Sequence, residues 1–324
     1  MKSATSILFI ALSILITSSI TYAQNTEKEK GLTAIHKDTI EGWDKAGIIS
    51  TNLTQTSLSN WAAGGQSSIA VTGLVSFHAI ETKGGGLWEN HIDIAYGVLR
   101  QGNTKAWWKT DDKIDLTTKY GKKAFGEWYY AILINFKTQF TQGFNYPDDS
   151  TKISDLLAPG YLITALGFEN KIKKEFGVFI APLTAKLTLV QDQALADAGA
   201  FGVEEATYDN LTGSKTADGE TMRMEIGGYL RLFFSNDIMK NVTLTTKLDL
   251  FSNYIESPEN IDVNWEVLLN MKVNDYISAS LTMHLVYDHD IAIGIDSDGD
   301  DVIDSSGPRT QFKEVIAIGL SYKF

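Results

Sequence analysis

The chain has 324 residues, a formal net charge of −12 and no cysteine. Without cysteine there is no disulfide framework, no zinc–thiolate site, no thiol nucleophile and no acylated-cysteine lipoprotein anchor. An acidic balance with no basic stripe argues against a nucleic-acid partner.

The first element in chain order is a leader. Lys2 gives a positive start, Ile7 to Leu15 an apolar run, and Thr21-Tyr22-Ala23 a small-residue cleavage site. That is the pattern of a secretory signal peptide, with residues 1–23 removed after Ala23. As a membrane anchor the run is too short to span, and no basic stop-transfer cluster follows it. Removal leaves roughly 300 residues, enough for one large β-domain or two ordinary ones, and one positive charge fewer. Residues 24–42 are charged and aperiodic, which suggests a periplasmic N-terminal extension ahead of a domain at 43–324.

From there the pattern is alternation. The clearest case lies at 261–273. One parity reads Ile261, Val263, Trp265, Val267, Leu269, Met271, Val273, and the other Asp262, Asn264, Glu266, Leu268, Asn270, Lys272. The predicted strands in chain order are 48–58, 69–80, 88–98, 114–120, 130–140, 161–168, 179–189, 224–234, 242–254, 261–273, 277–287 and 311–324. Those at 48–58, 69–80, 114–120, 161–168 and 179–189 alternate less cleanly, and Pro182 inside the last suits a bulge or an edge.

No apolar stretch of roughly 18 residues follows Ala23, so no transmembrane helix is expected. Only helices and closed barrels span lipid, because backbone polar groups cannot stay unpaired there. An exported membrane protein of this composition is therefore expected to be all-β, a transmembrane antiparallel up-and-down β-barrel of about 12 strands. The connections agree. Those at 81–86, 121–127, 170–175, 236–241 and 274–276 are short, whereas the other set includes 141–160, 191–220 and 290–309. Short periplasmic turns and longer outer loops are the barrel rule. Trp88, Trp107, Trp108, Trp128, Tyr129 and Tyr130 near strand ends suit interfacial girdles. A soluble secreted β-protein is the alternative to insertion.

Three stretches carry a resemblance: Leu58-Ser-Asn-Trp61-Ala-Ala-Gly-Gly65, the run from Asn241 to Tyr254, and Asn260-Ile-Asp-Val-Asn-Trp265-Glu-Val. With the closing Gly319-Leu-Ser-Tyr-Lys-Phe324 they resemble an uncharacterised family of bacterial outer-membrane barrels, catalogued as domain of unknown function 3078. The resemblance implies an outer-membrane location and brings no activity, substrate, catalytic residue or cofactor-binding residue. The aromatic C-terminus resembles the signal read by the barrel-assembly machinery. The implied partners are that machinery, periplasmic chaperones and outer-membrane lipid.

Inward-parity charges are balanced. Glu89, Asp93, Asp115, Glu225, Asp249, Asp262, Glu266 and Asp288 stand against Lys113, Lys119, Lys137, Arg223, Arg231, Lys247, Lys272 and Lys313. A selective channel favours one sign along its path; a balanced set suggests ion pairs across a partly filled lumen. On the lipid parity of the clearest strands the one charge is Glu314, expected near an interface.

The outer loop at 290–309 places Asp296, Asp298, Asp300 and Asp304 at relative positions 1, 3, 5 and 9. Alternate acidic residues in a turn can converge hard oxygens on Ca2+, although the glycine falls at position 4 and no glutamate stands at position 12. An acidic, solvated loop is the plainer reading. The expected function is a non-enzymatic barrel with a narrow pore, transport or structural role and surface-exposed loops. One alternative is an outer-membrane hydrolase of lipid or peptide working through His289, Asp288 and Asp290, although no nucleophile motif such as G-x-S-x-G supports it. Another is surface adhesion or ligand binding through 191–220 and 290–309.

Overall fold

The computed structural model describes residues 41–58, 66–102, 104–170, 175–274, 277–295 and 304–323. The signal-peptide reading and nearly all of the extension at 24–42 lie outside these residues. Twelve strands form one closed ring. They are β1 (Gly42–Thr56), β2 (Ser68–Lys83), β3 (Gly86–Gln101), β4 (Trp108–Phe125), β5 (Trp128–Thr138), β6 (Gly160–Asn170), β7 (Phe176–Leu189), β8 (Met222–Met239), β9 (Val242–Asn253), β10 (Ile261–Lys272), β11 (Ile277–Tyr287) and β12 (Gln311–Lys323). Each pairs antiparallel with its sequence neighbours, and β1 meets β12 to close the barrel. The ladders are unequal in length. β1 runs against β2 in unbroken register from Gly42↔Thr82 to Thr56↔Ser68. Among the described residues its ladder with β12 runs from Ile48↔Lys323 to Thr51↔Leu320.

Turn chemistry follows the loop asymmetry. β2 and β3 are joined through Gly84 and Gly85, both at positive φ (56° and 72°). Two left-handed residues in a two-residue hairpin match the right-handed twist of the strands, and glycine takes that geometry at no steric cost. The long connections lie at the opposite end, and among their small hairpins are Gly143–Phe144 with Lys152–Ser154 and Ala292–Ile295 with Ser305–Pro308.

The outer face is apolar and uncovered. Leu53 is 60% exposed, Ile316 60%, Leu320 62% and Ile318 69%. These outward residues recur on every second position while their neighbours Ser50, Asn52, Asp93 and Asn135 are buried inside. A ring with polar residues in and large aliphatics out is inverted relative to a water-soluble barrel, and hydrocarbon is the medium it fits. The fold is a transmembrane β-barrel. Among the described residues no helix is long and apolar enough to cross a membrane. At the short-turn end Trp43 packs on Trp88 (ring centroids 5.9 Å) and Tyr130 on Phe168 (5.5 Å). At the long-loop end Trp108 stacks on Tyr146 (5.6 Å). Tyr129, expected in a girdle, points inward and is buried, because it has the opposite parity to Tyr130. Glu314 faces outward at the fourth position of β12, near the long-loop end.

One irregularity matters for the interior. Across β7 and β8, Ala181 pairs with Tyr229 but Thr184 with Gly227, so an extra residue sits at Pro182-Leu183. A β-bulge shifts every following side chain to the other face. Before it Phe179 and Ala181 are inward; after it Thr184, Lys186 and Thr188 are. Proline lacks the N–H that a regular ladder position requires, so its place is here. On the facing strand Gly167 lies against the Ile180 carbonyl and Ala181 so closely that a Cβ has no room.

Two outcomes are expected. Ile134→Arg, midway along the outward face of β5, should cost about 2–4 kcal/mol, read from denaturant unfolding of the lipid-inserted protein by tryptophan fluorescence. Gly167→Val should block assembly at the bulge, seen as loss of the compact, heat-modifiable band on unboiled gels.

Candidate functional site

Charges inside a barrel are tolerated where they are paired and hydrogen-bonded. The lumen obeys this rule level by level. Toward the short-turn end Lys119 lies between Glu89 and Glu169, 2.6 Å from the latter. At mid-height the inner wall turns apolar: Ala131, Leu133, Ala165, Phe179, Ala181, Tyr229 and Phe251 form one buried cluster. Phe179 and Tyr229 meet edge-on at 6.2 Å, and Arg231 lies over the Tyr229 ring at 5.6 Å. Arg231 binds Asp249 through two parallel bonds of 2.6 and 2.8 Å. This bidentate geometry is the strongest form of the guanidinium–carboxylate pair. Lys247 reaches Glu266 at 3.0 Å, and Lys113 and Lys137 approach Asp115 at 3.3 and 3.7 Å. Asn135 also donates to Asp115 (2.7 Å).

Beyond this packed layer, toward the long loops, lies a cavity of about 590 Å³. Lys113, Lys137, Asp249, Glu266 and His284 line it in one group and Lys186, Asp262 and Asp288 in another, with Tyr161, Tyr287 and Ile291 as less polar wall. Lys186 is the hub of its group. Its Nζ lies 2.8 Å from Asp262, 3.1 Å from Asp288 and 3.3 Å from Glu225. Arg223 extends the group, 2.7 Å from both Glu225 and Asp290.

A small loop body roofs part of this space. Ala158, Val190, Leu195, Ala196 and Val203 form a nucleus with Phe201, which also lines the cavity. The short helix Gln193–Asp197 is capped by Asp192, whose side chain accepts from the Leu195 N–H at 3.1 Å. Lys152 ties Asp192 to Asp155, joining the two long loops. Asp197 accepts from Lys215 (2.7 Å), Gln193 (2.8 Å) and the Gly219 N–H (2.8 Å). These donors, Lys215 foremost, hold its pKa down at about 2.

The residues expected to carry chemistry are dispersed. His289 faces the Tyr287 hydroxyl at 3.3 Å through Nδ1. Asp288 is bound by Lys186 and Asp290 by Arg223. His284 meets Asn264 at 2.8 Å rather than an aspartate. His91 sits beside His78, ring centroids 6.1 Å apart. Of the acidic loop, Asp304 is exposed and adjoins the hairpin strand Ser305–Pro308, while Asp296, Asp298 and Asp300 lie outside the described residues. Among the described residues no group of three or more acidic or imidazole side chains is arranged to hold a metal. Sequence reasoning missed Lys186 and Glu169. The signal for Lys186 was Pro182, four residues before it, which marks the reversal of parity.

The family model described as "Protein of unknown function (DUF3078)" matches residues 53–144, including the stretch from Leu58 to Gly65. No curated protein matches the chain in sequence. Among solved structures, the translocator domain of the autotransporter NalP from Neisseria meningitidis is similar at 8% identity, over 99% of this chain and 98% of that one, with a TM-score of 0.36. The NanC porin is similar at 9% identity, over 86% and 100%, with a TM-score of 0.35. The ferric enterobactin receptor PfeA from Pseudomonas aeruginosa is similar at 10% identity, over 88% of this chain and 53% of that one, with a TM-score of 0.29.

Lys186→Met removes the cation from three carboxylates and should destabilise the barrel by about 3–5 kcal/mol in chemical denaturation. Adding Asp262→Asn and Asp288→Asn should restore part of that loss. For the loop body the sign follows from Asp197. Its folded pKa of about 2 lies below the roughly 3.9 of a free aspartate. Its contribution is therefore complete above about pH 4 and is lost as pH falls through about 2. Pepsin should leave 190–221 uncut near pH 4 and cleave it increasingly toward pH 2, whereas Asp197→Asn should be cut at both.

Proposed function

We propose that this protein is a non-enzymatic outer-membrane barrel, closed at mid-lumen in its resting state, that receives a small polar solute in the cavity beneath its long loops. The leader pattern, the lipid-facing strand surface and the aromatic C-terminus support export and outer-membrane insertion with the long loops outward. Periplasmic chaperones and the barrel-assembly machinery are its biogenesis partners on this reading.

The observation that carries the proposal is the contrast between two levels of one lumen. A cavity of about 590 Å³ is within the roughly 300–1,000 Å³ typical of small-molecule sites. It is bordered by Tyr229 and Phe251, which pack with Leu133 and Phe179 in one apolar cluster on β5–β9, and by Asp249, bound to Arg231 of the adjacent strand. A passive diffusion pore needs a continuous aqueous path; on our reading the apolar cluster is the seal beneath the site. Hydrolysis by the His289 group finds no support in the geometry, since its neighbour is a tyrosine hydroxyl and both flanking carboxylates are held by cations.

Planar-bilayer conductance of the refolded barrel tests this. Protein shown to be folded by heat-modifiable mobility should give no steady conductance, whereas Leu133→Ser combined with Tyr229→Ala should introduce one. Steady conductance of the unmodified protein would overturn the closed reading and make a narrow pore the function.

A further inference from the structure

The ion pairs of the cavity do not balance locally. Around Lys186 four described carboxylates, Glu225, Asp262, Asp288 and Asp290, share two cations, Lys186 and Arg223. Among the described residues that group carries two negative charges in excess. In a second group, which reaches deeper along the same β8 and β10, Lys113, Lys137, Lys247 and Arg231 stand against Asp115, Asp249 and Glu266. Among the described residues that group carries one positive charge in excess. The two remaining lining acids are each matched by one lysine, Asp111 by Lys313 (3.7 Å) and Asp112 by Lys109 (3.1 Å). The imbalance is therefore a separation of charge across one cavity rather than a uniform sign.

Resting on the reading of this cavity as a solute site, we infer that its solute is a small zwitterion, with its cationic group against Asp262 and Asp288 and its anionic group against Lys113 and Lys137. Two groups of opposite excess favour a molecule with both charges and penalise one that presents only one of them, because the unmatched group must then be desolvated for nothing. Asn264, between Asp262 and Glu266 on β10, adds a neutral hydrogen-bonding group, and Tyr161 and Tyr287 give a partly apolar wall for the connecting atoms. An unbroken ring of strands surrounds the cavity, so the solute arrives from water through the loops rather than from the bilayer. A free amino acid or a short peptide has this chemistry; a neutral sugar does not.

Isothermal titration calorimetry on the refolded, full-length barrel in a non-ionic detergent tests the inference with named probes. Glycine, glycylglycine and triglycine present both charges at increasing separation. Triglycine amide keeps only the cation, N-acetyltriglycine only the anion, and maltose neither. At least one zwitterion should bind about tenfold or more tightly than either singly charged analogue and than maltose. Lys137→Met should erase the preference over triglycine amide and leave the preference over N-acetyltriglycine; Asp288→Asn should do the reverse. Gel mobility before and after boiling establishes that each variant is folded, and the ranking of probes on the unmodified protein stands without them. Maltose or a singly charged probe binding as tightly as every zwitterion would overturn the charge-separated site and leave the solute-binding role intact. Folded protein that binds none of the probes would overturn both.

Discussion

A barrel in lipid commits every backbone hydrogen bond to its wall, so what happens inside is decided by side chains alone. The outer half of this lumen depends on one of them. Lys186 gathers carboxylates from β8, from β10 and from the residue that follows β11. Three segments are thereby drawn to one atom of a fourth, β7. Remove that cation and three carboxylates face each other in a poorly solvated space, a cost that no rearrangement of a hydrogen-bonded ring readily relieves. This hub draws β7, β8 and β10 together near the long loops, while deeper along the same wall the Arg231–Asp249 and Lys247–Glu266 pairs tie β8 to β9 and β9 to β10.

The hub in turn rests on a backbone defect. Regular alternation from Phe179 onward would place Lys186 in the hydrocarbon, an expensive place for a base. The bulge at Pro182-Leu183 brings it inside, and Gly167 makes the bulge possible by standing where any side chain would collide. Sequence, local geometry and electrostatics are linked here in order: a proline and a glycine set a register, the register sets a face, and the face sets the charge of a cavity.

Much of the architecture was legible in advance, for a physical reason. Strands in lipid must alternate over their full length, so segments such as Trp88 to Val98 and Ile261 to Val273 declare both existence and orientation. The inward parity of Glu89, Asp115, Glu225 and Glu266 was read correctly from alternation alone. What alternation cannot supply is the effect of its own interruptions, so Lys186 escaped, and Tyr129 was grouped with its outward neighbours. The loop nucleus of Ala158, Val190, Leu195 and Val203 escaped as well, because its residues come from two separated loops with no shared period. Pairing partners are equally invisible in sequence: His284, four residues before Asp288, meets Asn264 in space.

The ladder that closes the ring has a consequence of its own. Among the described residues the register between β1 and β12 runs over Ile48–Thr51, against Gly42–Thr56 between β1 and β2. A cyclic arrangement loses its topology when any single junction parts, so its persistence in time follows the shortest junction rather than the average one. For this barrel, lifetime is expected to follow the few backbone bonds between β1 and β12, and resistance to unfolding can be changed there without touching the cavity at all.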